Sequence, residues 1–131
     1  MENGRGTMAP DRLRILVIED DAVVRDVLCD ILESMGHQVQ NAPDGARGIA
    51  RLKSEQGAVD VVLTDLQMPG MTGWDVAHAV KSDWPRVKVA LLTADPDAPE
   101  HASEHPVDVV LSKPLALMEL STALANVVTG R

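Results

Sequence analysis

Four short aliphatic runs, each stopping on polar residues, constrain the fold of this chain more than any other feature. They are Ile15-Leu16-Val17-Ile18 before Glu19-Asp20-Asp21, Val59-Asp60-Val61-Val62-Leu63-Thr64 before Asp65, Val89-Ala90-Leu91-Leu92 before Thr93, and Val107-Asp108-Val109-Val110-Leu111 before Ser112-Lys113-Pro114. Runs so short and so apolar suit strands buried on both faces of a parallel sheet. Helical patterns separate them. A first helix from about Ala22 to Met35 sets Val24, Val27, Leu28, Ile31 and Met35 on one face and stops at Gly36. A short second strand covers 37–41. A second helix begins at Asp44 and runs to about Ser54, with Ile49 and Leu52 inward and Gly48 weakening it. A third spans about Gly73 to Ser82, with Val76, Ala79 and Val80 inward, and a last one, about Leu115 to Val128, carries the stripe Leu117, Leu120, Leu124 and Val127. Short connections and right-handed crossovers then give an α/β fold: a doubly wound, five-stranded parallel sheet in the order 2-1-3-4-5.

One stretch breaks the alternation. Between Asp95 and Pro106 stand Pro96, Pro99 and Pro106, with nothing larger than alanine to bury, so a full amphipathic helix has no anchor there. A shortened or mobile fourth helix is predicted.

Ligand sites of open parallel sheets lie at the carboxyl ends of the strands, and here those ends collect Glu19, Asp20, Asp65, Thr93 and Lys113. Clustered carboxylates repel one another unless a cation sits among them, and an all-oxygen donor set suits Mg²⁺ rather than zinc. A nucleophilic oxygen, a divalent cation, an ammonium and a hydroxyl are the parts that recur where a phosphoryl group is transferred. Asp65 is the candidate nucleophile. A carboxylate is already ionised at neutral pH, so no general base is required. Taken singly, each residue has a plainer role: Glu19, Asp20 and Asp21 as helix-capping acids, Thr93 as a turn residue, Lys113 as a solvated edge lysine. Asp21 is assigned to capping. For the others the joint pattern outweighs the separate readings.

With those residues in place, the chain resembles the receiver domain of bacterial two-component response regulators from about Arg12 to about Val128. The resemblance is carried by Ile15-Leu16-Val17-Ile18-Glu19-Asp20, by Asp65-Leu66-Gln67-Met68-Pro69-Gly70-Met71-Thr72-Gly73, by Leu92-Thr93-Ala94 and by Ser112-Lys113-Pro114, in that order. It implies a flavodoxin-like sheet and a single-domain module similar to chemotaxis response regulators. Asp65 would accept a phosphoryl group from a histidine kinase or a histidine phosphotransfer protein. Asp20 and Asp65, with the backbone carbonyl of Gln67, would hold Mg²⁺, and Glu19 would act through a metal-bound water. Thr93 would donate to a phosphoryl oxygen, and Lys113 would pair with Asp65 and then with the phosphoryl group. The Lys113-Pro114 peptide would be cis. Such a module is a phosphoacceptor that promotes its own phosphorylation and dephosphorylation, not an enzyme acting on a separate substrate. Gln67 and Asp95 would influence the lifetime of the phosphoryl group. The family commonly places an aromatic switch residue three positions before the lysine, where this chain has Val110 and where no Tyr or Phe exists anywhere in the sequence. A signal carried by the ordering of 95–106 is expected instead.

At 131 residues the chain can bury roughly two-thirds of its unfolded surface, enough for one domain without disulfides. The reading is a flexible extension over 1–11 and a receiver domain over 12–131. The lone Cys29, placed off the main apolar stripe, reads as an inert thiol in a reducing compartment. No aliphatic run approaches about 18 residues and no signal segment is visible, so a cytoplasmic location without membrane association is expected. A net charge of −8 argues against direct nucleic-acid binding. His37, His78, His101 and His105 look too scattered for a metal set, and His101 and His105 are expected to be solvated. Trp74 and Trp84 are assigned to packing. Two alternatives accompany a stand-alone module: a receiver fragment of a hybrid kinase or larger regulator, and a flavodoxin-like module binding a small ligand such as a flavin.

Overall fold

Parallel pairing of the aliphatic runs builds one sheet in the order β2-β1-β3-β4-β5, from β1 (Arg14–Ile18), β2 (Gln38–Ala42), β3 (Val61–Asp65), β4 (Lys88–Thr93) and β5 (Val109–Ser112). The computed structural model describes residues 12–113 and 117–129. Register runs Ile15 to Val61 and Ile18 to Thr64 between β1 and β3, Asp65 to Leu92 between β3 and β4, and Thr93 to Ser112 between β4 and β5. The polar strand ends therefore arrive at one edge together.

Alternation along the strands divides the core into two layers. Ile15, Val17, Leu63 and Leu92 meet α1 (Ala22–Ser34) and α5 (Leu117–Thr129) through Leu28, Leu32, Leu120, Leu124 and Val127. Leu16, Ile18, Val62 and Val89 meet α2 (Gly45–Ser54) and α3 (Gly73–Asp83) through Leu52, Val76, Ala77 and Val80. Local signals set the helix boundaries. Asp21 Oδ1 accepts the Val23 and Val24 N–H groups, and Gly36 ends α1 at φ +96°. Thr72 and Asp75 form a reciprocal capping box at the start of α3.

Several packing expectations are corrected. Of the expected α1 stripe, Leu28 is buried and Val24, Ile31 and Met35 pack at the core margin. The face is rotated slightly toward Cys29 and Leu32, however, so Val27 is 51% exposed while Cys29 enters the core. Burial pushes the Cys29 thiol up from its ordinary pKa of 9.0. On α3, Ala77 is buried in place of Ala79 for the same rotational reason. Gly48, expected only to weaken α2, is where that helix closes on β1: a Cβ there would lie 2.4 Å from Ile18 Cδ1. Trp84 packs as expected, over Gly57. The side chain of Leu117 and residue Pro114, with the peptide expected to be cis, lie outside the described residues, as does the extension over 1–11.

The proline-rich stretch forms only α4 (Ala98–His101) and a 3₁₀ turn over Ala102–Glu104. Its anchors are the buried Ala98 and an unforeseen one, His105. That ring stacks on Trp74 with centroids 4.2 Å apart and an interplanar angle of 15°, and its Nδ1 lies 3.1 Å from His78 Nε2. His105 is thus not solvated as expected. A planar ring takes the place of the missing aliphatic side chain. His101 is exposed, 3.5 Å from Glu104. Trp74 and Val110 pack on a small cluster of Leu66, Leu91 and Ala98, the first of which follows Asp65 directly.

Candidate functional site

β1 carries Glu19 into the site and a short hydrogen-bonded loop fixes it there. The Glu19 N–H donates to Ala42 O at 3.2 Å, and its carbonyl accepts from Arg25 Nη1 at 2.9 Å. One carboxylate oxygen, Oε2, accepts the Asp21 N–H at 3.1 Å. The other, Oε1, is buried with no hydrogen-bond partner and lies 3.5 Å from Lys113 Nζ. That contact is charge without a hydrogen bond. Burial raises the Glu19 pKa above 4.5, and the nearby Asp65 charge pushes the same way, while the Asp21 amide and Lys113 oppose them.

Asp65, at the end of β3, places Oδ1 3.2 Å from Lys113 Nζ. The lysine reaches it because its own N–H donates to Thr93 O at 2.8 Å, binding the ends of β4 and β5 together. Burial alone would lower the Lys113 pKa, but Asp65 and Glu19 outweigh it and hold the ammonium above 10.5. Thr93 is buried and its Oγ1 accepts the Asp95 N–H at 3.0 Å, which leaves the hydroxyl hydrogen to donate elsewhere. Asp20 is exposed at the mouth, and Gln67 is exposed two residues beyond Asp65.

Carboxylate oxygens of Glu19, Asp20 and Asp65 lie within 4.8 Å of one another. An all-oxygen donor set with an orphaned buried oxygen fits a hard divalent cation. The structure thus brings together Glu19, Asp20, Asp65 and Lys113, with Thr93 at the adjoining strand end. Two supporting residues escaped the sequence reading of the site. Arg25 pins the Glu19 carbonyl, and its only signal was a cation one turn into an acid-led helix. Gly73 lets α3 start against the acceptor strand: a Cβ would lie 2.6 Å from Asp65 O and 2.4 Å from Leu91 Cδ1.

Comparison with known proteins agrees with this geometry. Residues 15–125 match the family model described as response regulator receiver domain. Over 117 residues, 88% of this chain, the sequence is 34% identical to the sensor histidine kinase RcsC of Salmonella typhi, of which it spans 12%. A receiver domain protein from Clostridium thermocellum superposes with a TM-score of 0.84 at 28% identity, covering 90% of this chain and 95% of that one. The response regulator TrrA of Thermotoga maritima, solved in complex with Mg²⁺ and BeF, gives 0.77 at 28% identity over 89% and 98%. These matches leave the flavin-module alternative without support. Sheet order, strand-end chemistry and sequence agree, and the chain belongs to the response regulator receiver domain family.

Proposed function

We propose that Asp65 is the phosphoryl acceptor of this receiver and that a phosphohistidine, on a histidine kinase or phosphotransfer protein, is the donor. The observation that carries this is the Asp65 carboxylate 3.2 Å from Lys113 Nζ, beside the buried unpartnered oxygen of Glu19. In the transfer, Asp65 Oδ attacks phosphorus in line, the P–N bond breaks, and the imidazole leaves and takes up a proton. Lys113 balances negative charge that would otherwise accumulate between Asp65 and the incoming phosphoryl oxygens, and the free Thr93 hydroxyl hydrogen is placed to donate to one of them. Glu19, Asp20 and Asp65, with the Gln67 carbonyl, would hold Mg²⁺, which when bound supplies neutralising charge to the phosphoryl oxygens. The TrrA complex with Mg²⁺ supports that assignment.

A docking strip lies beside the site. Val23 is 72% and Val27 51% exposed one turn apart on α1, just past Asp21. Paired exposed valines at the mouth suit an apolar helix face on the donor. Similarity to part of a sensor kinase favours a second arrangement of the same chemistry, in which the donor belongs to the same longer chain. Incubation with a phosphohistidine donor, reduction of the product with borohydride and peptide mass analysis should find homoserine at position 65. Label at another residue would overturn the assignment.

A further inference from the structure

We propose that His78 and His105 form a second cation site, selective for borderline divalent ions such as Zn²⁺ or Ni²⁺ and chemically distinct from the carboxylate site. His78 Nε2 and His105 Nδ1 stand 3.1 Å apart with the rings at 82°. Two imidazole nitrogens on one tetrahedral centre, each about 2.05 Å from the metal, stand about 3.3 Å apart, so the pair sits a few tenths of an ångström from a shared-ligand spacing. One ligand is already immobilised. His105 is half-buried and its ring lies flat on Trp74, so little rotamer entropy is left to lose on binding. The other can adjust: His78 is exposed on α3, and its contact with His105 is a hydrogen bond in which one ring nitrogen carries the proton. A change of tautomer with a swing of the His78 ring lets both lone pairs converge on one ion.

Accessibility and charge both favour occupancy. The exposed His78 edge gives an ion a path from solvent, water completes the coordination sphere, and a net charge of −8 attracts cations. Imidazole nitrogen prefers zinc, nickel or copper to magnesium, whereas the Glu19, Asp20 and Asp65 oxygens have the opposite preference. His37 cannot compete in the same way, because its Nδ1 already accepts the Leu13 N–H at 3.0 Å. The consequence is mechanical. His78 belongs to α3 and His105 to the segment after the 3₁₀ turn, so a bound ion would bolt the thinly anchored stretch 95–106 to α3.

The test is Zn²⁺ titration of the full chain with Mg²⁺ in excess, followed by calorimetry and by the imidazole proton resonances. Wild type should bind one Zn²⁺ with the His78 and His105 resonances moving in step. His78→Gln and His105→Gln should each weaken that binding about tenfold or more. Asp65→Asn should leave it intact. His78 is exposed, so its variant remains informative even where His105→Gln perturbs the Trp74 stack. Wild type binding no Zn²⁺ in the presence of Mg²⁺, or binding equally in both histidine variants, would overturn the proposal.

Discussion

Glu19 is held where its negative charge is unfavourable unless a cation answers it, which makes its titration a sensitive probe of the site. Burial and Asp65 raise its pKa in the folded chain above the 4.5 of an unfolded glutamate. The folded state then binds the proton more tightly, and in metal-free protein stability falls as pH rises from 4.5 through the raised value. Glu19→Gln should remove that slope and raise the metal-free melting temperature by a few degrees, while weakening Mg²⁺ binding. Urea midpoints from pH 4.5 upward, without Mg²⁺, read the slope directly; a variant with the wild-type slope would contradict the assignment. At this scale the sequence was informative wherever a residue ended a strand. Glu19, Asp20, Asp65, Thr93 and Lys113 were all legible because strand ends of a parallel sheet share one edge. Arg25 was not, since its contact is with the Glu19 backbone carbonyl and nothing in residue spacing reports a carbonyl's direction.

Among the elements, the helices diverge most from expectation. Apolar periodicity located α1 and α3 but not their rotation about their axes, because valine, alanine and cysteine fit a core margin equally well. That rotation leaves Val27 outside and brings Cys29 in. If the exposed strip on α1 guides a phosphohistidine donor, Val27→Asp should slow transfer from the protein donor on the order of tenfold, leaving labelling by acetyl phosphate unchanged. Equal slowing with both donors would place Val27 in the site instead of on a docking surface. The start of α3 offers a stability test. Gly73→Ala forces a Cβ against Asp65 O and Leu91, and should cost on the order of 2 kcal/mol by urea denaturation. A near-neutral result would mean that α3 can shift away from the acceptor strand. The shortened α4 was legible from its three prolines, whereas the His105 stack on Trp74 was not, because partners 31 positions apart leave no local pattern.

For the whole molecule, the 2-1-3-4-5 sheet follows from alternation and handedness, and it explains why residues from four separate strand ends converge. Among the described residues no helix is long and apolar enough to cross a membrane. Two features of this receiver stand apart from its site. Val110, stiff at χ1 and packed on the same small cluster as Trp74, occupies the position where the resemblance led one to expect an aromatic. The 95–106 stretch is anchored by Ala98, by the His105 stack and by the Asp95 N–H on Thr93. Leu66, which follows Asp65, packs against Ala98, and Thr93 accepts the Asp95 N–H, so two neighbours of the site touch this segment. The central claim is that Asp65 accepts a phosphoryl group with help from a divalent cation. Intact mass after incubation with acetyl phosphate, with and without Mg²⁺, on wild type and Asp65→Asn in parallel, tests it most directly. A single phosphoryl adduct that requires both Mg²⁺ and Asp65 is the predicted result; an adduct that persists in Asp65→Asn, or none on wild type with Mg²⁺ present, would contradict it.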